Sequence, residues 1–128
     1  MKMLLDTVSF LWLILDSPRL SRAAREAFVD PANDVYLSAV STWEIAVKYS
    51  LGRLKLPAAP AQYIPDQRER HAIQFLPLDE SSTLHLARLP DLHRDPFDRM
   101  LICQALLLGL VIVTPDAKIS QYPVRALW

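Results

Sequence analysis

Residues 95–116 read DPFDRMLICQALLLGLVIVTPD, which contains a helix start, a helix stop and a strand in that order. Asp95-Pro96 favours a helix start, because aspartate caps the first amides and proline suits the first helical position. The apolar run that follows ends at Gly109, and glycine is the residue that most often closes a helix. The β-branched run Leu110 to Val113 then predicts a buried strand, which ends before Thr114-Pro115-Asp116. The stretch therefore predicts a helix that leads into a strand of a parallel sheet.

The same alternation of short apolar runs and helical segments extends over the whole chain. Ser21 and Asp79 are expected to cap helices, and Gly52 is expected to end one. We expect strands at 3–5, 35–37, 73–76, 110–113 and 124–127, and helices from Thr7 and at 22–29, 42–51, 62–70, 79–87 and 96–109. This order predicts an α/β protein of three layers, α/β/α, with a central parallel sheet of four to five short strands.

Composition indicates a globular protein of one domain. The chain has 128 residues, of which 52% are hydrophobic, so residues 1–128 can bury a sizeable core. The formal net charge is zero, so nucleic acid would have to bind through a local patch. The single Cys103 excludes an internal disulfide and is expected to be a buried, inert thiol.

The sequence lacks the signals of secretion and membrane insertion. The apolar start contains Asp6 and has no basic region or cleavage site of a signal peptide. No apolar run is long enough to span a bilayer. We therefore expect a cytoplasmic protein without a membrane partner.

Four acidic residues fall where predicted strands end or the following helices begin. In a parallel sheet ligands bind beyond the carboxyl ends of the strands, and this places a candidate site at that edge. The four are Asp6, Glu44, Asp98 and Asp116. Each also has a structural interpretation: Asp6 as a helix cap, Glu44 in a capping box from Ser41, Asp98 beside a helix dipole and Asp116 in a turn. Spacing leaves both interpretations open.

The surroundings of these acids favour a hard metal ion. Asp6 and Glu44 lie among apolar neighbours, and two unit charges about 4 Å apart repel by roughly 4 kcal/mol at an effective dielectric of 20. No cysteine or histidine beside them in the sequence suits a zinc site, so oxygen ligands indicate Mg²⁺ or Mn²⁺. His93 precedes the Asp95 cap in a loop, where a substrate contact is an alternative to an ordinary surface histidine.

Several blocks together resemble the PIN-domain family, specifically its VapC-like ribonuclease toxins. They occur in the family's order over essentially the whole chain, and the block at 93–102 is the most specific. The blocks are Leu4-Leu5-Asp6-Thr7, Ser38 to Ile45, Leu51-Gly52-Arg53-Leu54, His93 to Ile102 and Val113-Thr114-Pro115-Asp116. The resemblance implies a PIN fold and Mg²⁺- or Mn²⁺-dependent endoribonuclease activity.

The family pattern assigns roles to individual residues here. It implies a metal-binding, catalytic quartet of Asp6, Glu44, Asp98 and Asp116, with Asp95, Thr7 and Thr114 as supporting residues. Members often carry a histidine two residues after the first aspartate, where this chain has Val8, so a role of that histidine does not carry over.

The mechanism implied is hydrolysis of RNA assisted by one or two divalent ions, which leaves a 5′-phosphate and a 3′-hydroxyl. It requires no covalent enzyme intermediate. Candidate phosphate contacts, each equally an ordinary surface residue, are Arg94, Arg99, Lys48 and Arg53.

The resemblance also implies a cognate antitoxin that covers the cleft, a homodimer, and a toxin–antitoxin heterotetramer or larger assembly. Five large apolar residues exceed what a small core requires. They could line a groove that binds an amphipathic helix, or they could belong to the core. They are Phe10, Leu11, Trp12, Leu15 and Trp43.

Two other classes of protein remain as alternatives. One is a catalytically inactive PIN-type module that binds RNA or a protein. The other is a different magnesium enzyme, such as a phosphoryl-transfer domain. The second is disfavoured because the chain has only Gly52 and Gly109 and therefore no glycine-rich phosphate loop.

Overall fold

The computed structural model describes residues 1–128. A sheet of five parallel strands forms its centre, in the order β3-β2-β1-β4-β5, and confirms the predicted α/β/α arrangement. The strands are β1 Lys2–Leu5, β2 Asp34–Ser38, β3 Gln74–Leu76, β4 Val111–Val113 and β5 Ala126–Leu127. The helices are α1 Thr7–Ile14, α2 Arg22–Val29, α3 Ala39–Ser50, α4 Pro60–Arg70, α5 Glu80–Leu84 and α6 Pro96–Leu108, with 3₁₀ turns at His85–Arg88 and Ile119–Gln121.

The central strand β1 separates two apolar clusters, one on each face of the sheet. Side chains alternate along a strand, so Met3 and Leu5 face one cluster and Leu4 faces the other. Helices α1, α2 and α4 contribute to the first cluster, and α6 forms much of the second. Burial on both faces explains why these strands are continuous apolar runs rather than alternating ones. Cys103 lies in the second cluster, where burial raises the pKa of its thiol, in agreement with an inert residue.

Side-chain caps determine where most helices begin. The carboxylate of Asp6 accepts a hydrogen bond from the Ser9 amide at 2.8 Å, and Asp95 accepts bonds from the amides of Phe97 and Asp98 at 2.9 and 3.2 Å. Gly109 has φ 68°, the left-handed conformation that glycine adopts without strain. These local interactions confirm the sequence prediction for α6.

Helix α3 begins earlier than predicted. Its cap is Ser38, whose hydroxyl accepts a hydrogen bond from the Val40 amide at 3.0 Å, so the helix starts at Ala39 rather than Thr42. The predicted capping box from Ser41 to Glu44 is therefore wrong, and Glu44 lies in the second turn. The reason is that strand β2 continues directly into the helix, and a serine at that junction supplies the cap.

The five apolar residues that could form a groove differ in how deeply they are buried. Phe10 is fully buried in the core, and Leu11 and Trp12 pack against the core while partly buried. Leu15 and Trp43 are 56% and 58% exposed. No helix combines the length and apolar character needed to cross a bilayer.

Candidate functional site

The acidic residues lie at the topological switch point of the sheet. The chain builds from β1 towards β2 and β3 on one side, and α6 then carries it across to β4 on the other side. Loops that leave β1 and β4 diverge here, and such a point opens a crevice at the carboxyl ends of the strands. Asp6 follows β1, Asp116 follows β4, and Asp98 lies in the first turn of α6.

Asp6 is the most deeply buried acid of this site. It is 3% exposed, and its amide donates to the Val113 carbonyl at 3.1 Å, which continues the sheet. Burial raises the pKa of its carboxyl, against the hydrogen bonds from Ser9 and Thr114 that lower it, and the charge of Glu44 raises it further. The carboxylate therefore acts both as the cap of α1 and as an acid that lacks a nearby cation.

Glu44 reaches the site from α3 and is 5% exposed. The hydroxyl of Thr7 donates to Glu44 Oε1 at 2.6 Å and lies 3.0 Å from the hydroxyl of Ser41. Lys48, one turn further along α3, places its Nζ 2.5 Å from Glu44 Oε2. The buried carboxylate is thus held by a hydroxyl on one side and an ammonium group on the other.

His93 joins Asp98 to Asp116. Its Nε2 lies 2.9 Å from Asp98 Oδ2 and 3.0 Å from Asp116 Oδ2, and the ligand atoms of the three residues all lie within 4.8 Å of one another. The expected position of His93 beside the cleft agrees with this geometry, but its contacts here are with two acids of the site. His93 precedes Asp98 by five positions and Asp116 by twenty-three, so the fold is needed to bring all three together.

The Asp98 carboxyl has the most crowded electrostatic environment. Burial raises its pKa from the ordinary 3.8 to about 7, and the negative charges of Asp95, Asp6 and Glu44 add to the effect, while His93 opposes it. Because the charges of Asp6 and Glu44 act on Asp98, the acids from three separate parts of the chain share one site.

The loop that carries His93 is fixed by Tyr122. The Tyr122 hydroxyl accepts hydrogen bonds from the amides of Leu92 and His93 at 3.0 and 2.8 Å. Arg99 donates to the same hydroxyl at 3.2 Å and to the carbonyls of Pro90 and His93 at 3.0 and 3.3 Å. These bonds hold the imidazole at the acids.

The supporting residues and the predicted basic residues differ in what they contact. Thr114 accepts a hydrogen bond from the Asp116 amide at 3.0 Å, and Asp95 caps α6. Arg99 is committed to the His93 loop and Lys48 to Glu44, as described above. The remaining two, Arg53 and Arg94, are exposed and form no ion pair.

The donor set fits a hard divalent cation. Carboxylate oxygens from Asp6, Glu44, Asp98 and Asp116 are the ligands that Mg²⁺ and Mn²⁺ favour, and the imidazole of His93 adds one nitrogen. Burial and then the repulsion of neighbouring carboxylates raise the pKa of Asp98, and a cation would relieve that repulsion. The residues present therefore fit a bound metal.

Cavity size does not identify this site. The largest cavity, about 350 Å³, lies at the other end of the sheet, beside Asp34 and Ala72. A cavity of about 270 Å³ adjoins Asp116, between Thr114 and Trp128. The other three acids, Asp6, Glu44 and Asp98, line none of the four cavities of the molecule.

Sequence reasoning missed the central position of His93 and the role of Tyr122. The signals for His93 were its place two residues before the Asp95 cap and at the start of the family block 93–102, and neither shows that it contacts two acids. Tyr122 stands apart from the predicted site residues in the sequence. Both act through contacts between segments far apart in the chain.

The architecture and the acids together define a three-layer α/β/α protein with a carboxylate cluster at the switch point. The chain belongs to the PIN domain family, whose model matches residues 3–124. Over an alignment of 72 residues, which covers 53% of its length, the chain is 40% identical to ribonuclease VapC16 of Mycobacterium tuberculosis. The matched segment spans 51% of that relative's length, so about half of the ribonuclease is represented.

Solved structures of VapBC complexes share the fold. VapBC2 from Rickettsia felis, bound to a DNA fragment from its promoter, matches with a TM-score of 0.74 and 15% identity, over 98% of this chain and 97% of the other. DNA-bound VapBC from Salmonella typhimurium matches with a TM-score of 0.68 and 20% identity, over 98% and 96% of the two chains. At these identities the likeness establishes the fold alone.

Proposed function

We propose that this chain is a divalent-metal-dependent endoribonuclease that hydrolyses RNA phosphodiester bonds and serves as the toxin of a toxin–antitoxin pair. The observation that carries the proposal is the convergence of Asp6, Glu44, Asp98 and Asp116 at the switch point, where the pKa of Asp98 rises to about 7. Membership of the PIN family and the similarity to a VapC ribonuclease support it.

Asp6, Glu44, Asp98 and Asp116 would hold Mg²⁺ or Mn²⁺. When bound, such an ion acidifies water and offsets negative charge on phosphate oxygens. The chain itself positions these ligands: the Ser9 amide orients Asp6, and Thr7 orients Glu44. The Thr114 hydroxyl accepts a hydrogen bond from the backbone amide of Asp116 and so supports that residue.

The other residues of the site either hold the acids in place or are candidates for contacts with the substrate. His93 keeps the carboxylates of Asp98 and Asp116 close together through one ring nitrogen. Arg94 and Arg53 are exposed cations without a partner and remain the better candidates for phosphate contacts. Lys48 neutralises Glu44 in this state, and Arg99 positions the His93 loop.

The proposal includes a cognate antitoxin and a homodimeric toxin, assembled as a heterotetramer or larger complex. The solved relatives are VapBC assemblies, which fits a toxin bound to its antitoxin. We further propose that residues 1–128 form one PIN domain, which works in the cytoplasm.

The test is cleavage of a mixed RNA pool by purified protein free of antitoxin. Parallel reactions contain Mg²⁺, Mn²⁺ or EDTA, and Asp98→Asn is the inactive variant. Asp79→Asn is the matched control, because Asp79 caps α5 through Ser82 and asparagine caps equally well. We expect discrete fragments with 5′-phosphate ends, which require both metal and Asp98 and are unchanged by Asp79→Asn.

Intact RNA in every reaction, from a protein that folds and binds metal, would contradict nuclease function. That result would favour the inactive PIN-type binding module instead.

A further inference from the structure

Trp43 is the most exposed aromatic residue of the chain, at 58%. Its ring meets the ring of Phe97 edge-on, with centroids 4.8 Å apart and planes 72° apart. Trp43 immediately precedes Glu44 on α3, and Phe97 immediately precedes Asp98 on α6. The aromatic pair therefore bridges the two helices that carry two acids of the site.

The pair is a fixed surface rather than a loose side chain. Phe97 is partly buried and packs against the apolar cluster formed largely by α6. An edge-to-face contact orients the tryptophan ring, since aromatic pairs favour that geometry over a sandwich. Phe97 thus anchors Trp43 while most of the indole stays in contact with water.

The shape of this surface favours a flat partner. None of the four cavities of the molecule is lined by Trp43 or Phe97. Anchor side chains of protein partners fill concave, desolvated pockets. A nucleobase needs only an exposed aromatic face, on which it stacks with little preference for sequence.

One free cation near the pair also suits a nucleotide. Arg94, three residues before Phe97, is exposed and forms no ion pair, whereas Lys48 is paired with Glu44. A nucleotide presents both an aromatic ring and a phosphate, which match the exposed indole and a site with an unpaired arginine and metal-binding carboxylates.

We propose that Trp43, supported by Phe97, is a stacking platform for an unpaired nucleobase next to the scissile phosphate. The substrate class that follows is RNA with unpaired nucleotides, because a base within a duplex is stacked on both faces already. This inference rests on the proposed ribonuclease function and assigns part of its specificity to one ring.

The test measures RNA binding separately from cleavage. In an Asp98→Asn parent with Mn²⁺, the probes are a fluorescent single-stranded RNA of mixed sequence and a duplex of the same composition. Trp43→Ala and Trp43→Leu should weaken binding of the single strand by about 5- to 150-fold, the range for loss of one stacked base. Trp43→Phe should restore most of the affinity, because it keeps an aromatic face.

Phe75→Ala is the matched control. Phe75 is 47% exposed on the outer strand β3, and its removal should leave RNA binding unchanged. The single strand should also quench tryptophan fluorescence in a parent that carries Trp12→Phe and Trp128→Phe and so retains Trp43 alone.

Equal binding by the parent, Trp43→Ala and Trp43→Leu would overturn the stacking platform while leaving the ribonuclease proposal intact. Loss of self-association in the Trp43 variants, without a change in RNA affinity, would overturn it in favour of an interface between copies. No RNA binding by a folded parent would remove the proposed function and the platform together.

Discussion

Replacing Asp98 with asparagine is expected to stabilise the metal-free protein, although it removes an acid of the site. The fold raises the pKa of Asp98 from 3.8 to about 7, so the folded protein binds this proton more tightly than the unfolded chain does. The resulting stabilisation is complete below pH 3.8 and is lost as pH rises through about 7. Above that pH the parent carries the cost of a buried charge that the variant lacks.

The size of the effect follows from the pKa change. Moving the pKa from 3.8 to about 7 costs the ionised form at most ~4 kcal/mol, at about 1.36 kcal/mol per pH unit. Two effects lower this cost. The Asp98 side chain is 18% exposed, so water partly solvates its charge, and a carboxylate at the start of α6 gains about 0.3–1 kcal/mol from the helix dipole. We therefore expect the free energy of unfolding to rise by about 2 kcal/mol near pH 8 and hardly at all near pH 4.

The assay is urea unfolding followed by circular dichroism, in EDTA, across that pH range. Glu80→Gln is the matched control, because Glu80 is an exposed acid in the first turn of α5 and loses only a helix-dipole interaction. Saturating Mn²⁺ should reverse the order of stability, since a ligand at 100 times its Kd stabilises the parent by about 2.7 kcal/mol.

A variant less stable than the parent at pH 8 in EDTA would refute this reasoning. So would a stability difference that does not change with pH. Either result would mean that His93 and the start of α6 already satisfy the Asp98 charge, so that the residue serves the fold.

Two further substitutions test the supports of the site and of the fold. Tyr122→Phe leaves the amides of Leu92 and His93 without their acceptor, so unfolding free energy should fall by about 1–3 kcal/mol, and hydrogen exchange should speed up at both amides. Unchanged exchange would show that another group holds the loop. Gly109→Ala places a side chain at φ 68° with nothing within 4 Å, so urea unfolding should report a loss of about 1 kcal/mol from backbone strain alone. A loss above about 3 kcal/mol would indicate a steric clash instead.

Most of the secondary structure could be predicted because it depends on neighbours in the sequence. The caps at Ser21, Asp79 and Asp95 bond to amides two or three residues away. Such bonds form wherever the local chain is helical, whatever the rest of the molecule does. The start of α3 was misplaced because two serines, Ser38 and Ser41, were both suitable caps, and only the end of strand β2 decides between them.

The grouping of the acids was also predictable, because parallel topology brings the carboxyl ends of all strands to one edge. The burial of individual side chains could not be predicted. Phe10 and Trp43 are both large aromatic residues near the start of a helix, yet Phe10 is fully buried and Trp43 is 58% exposed. Which of two apolar residues faces the core depends on how helices pack, and a local pattern does not contain that information.

The sequence by itself therefore determined the layers, the strands and the edge at which the acids meet. Tertiary structure alone decided that His93 bridges Asp98 and Asp116, and that Tyr122 and Arg99 hold its loop. The physical reason is distance along the chain. Those contacts form only after long loops close, and the entropy of closure is repaid by packing of the whole core rather than by any local sequence signal.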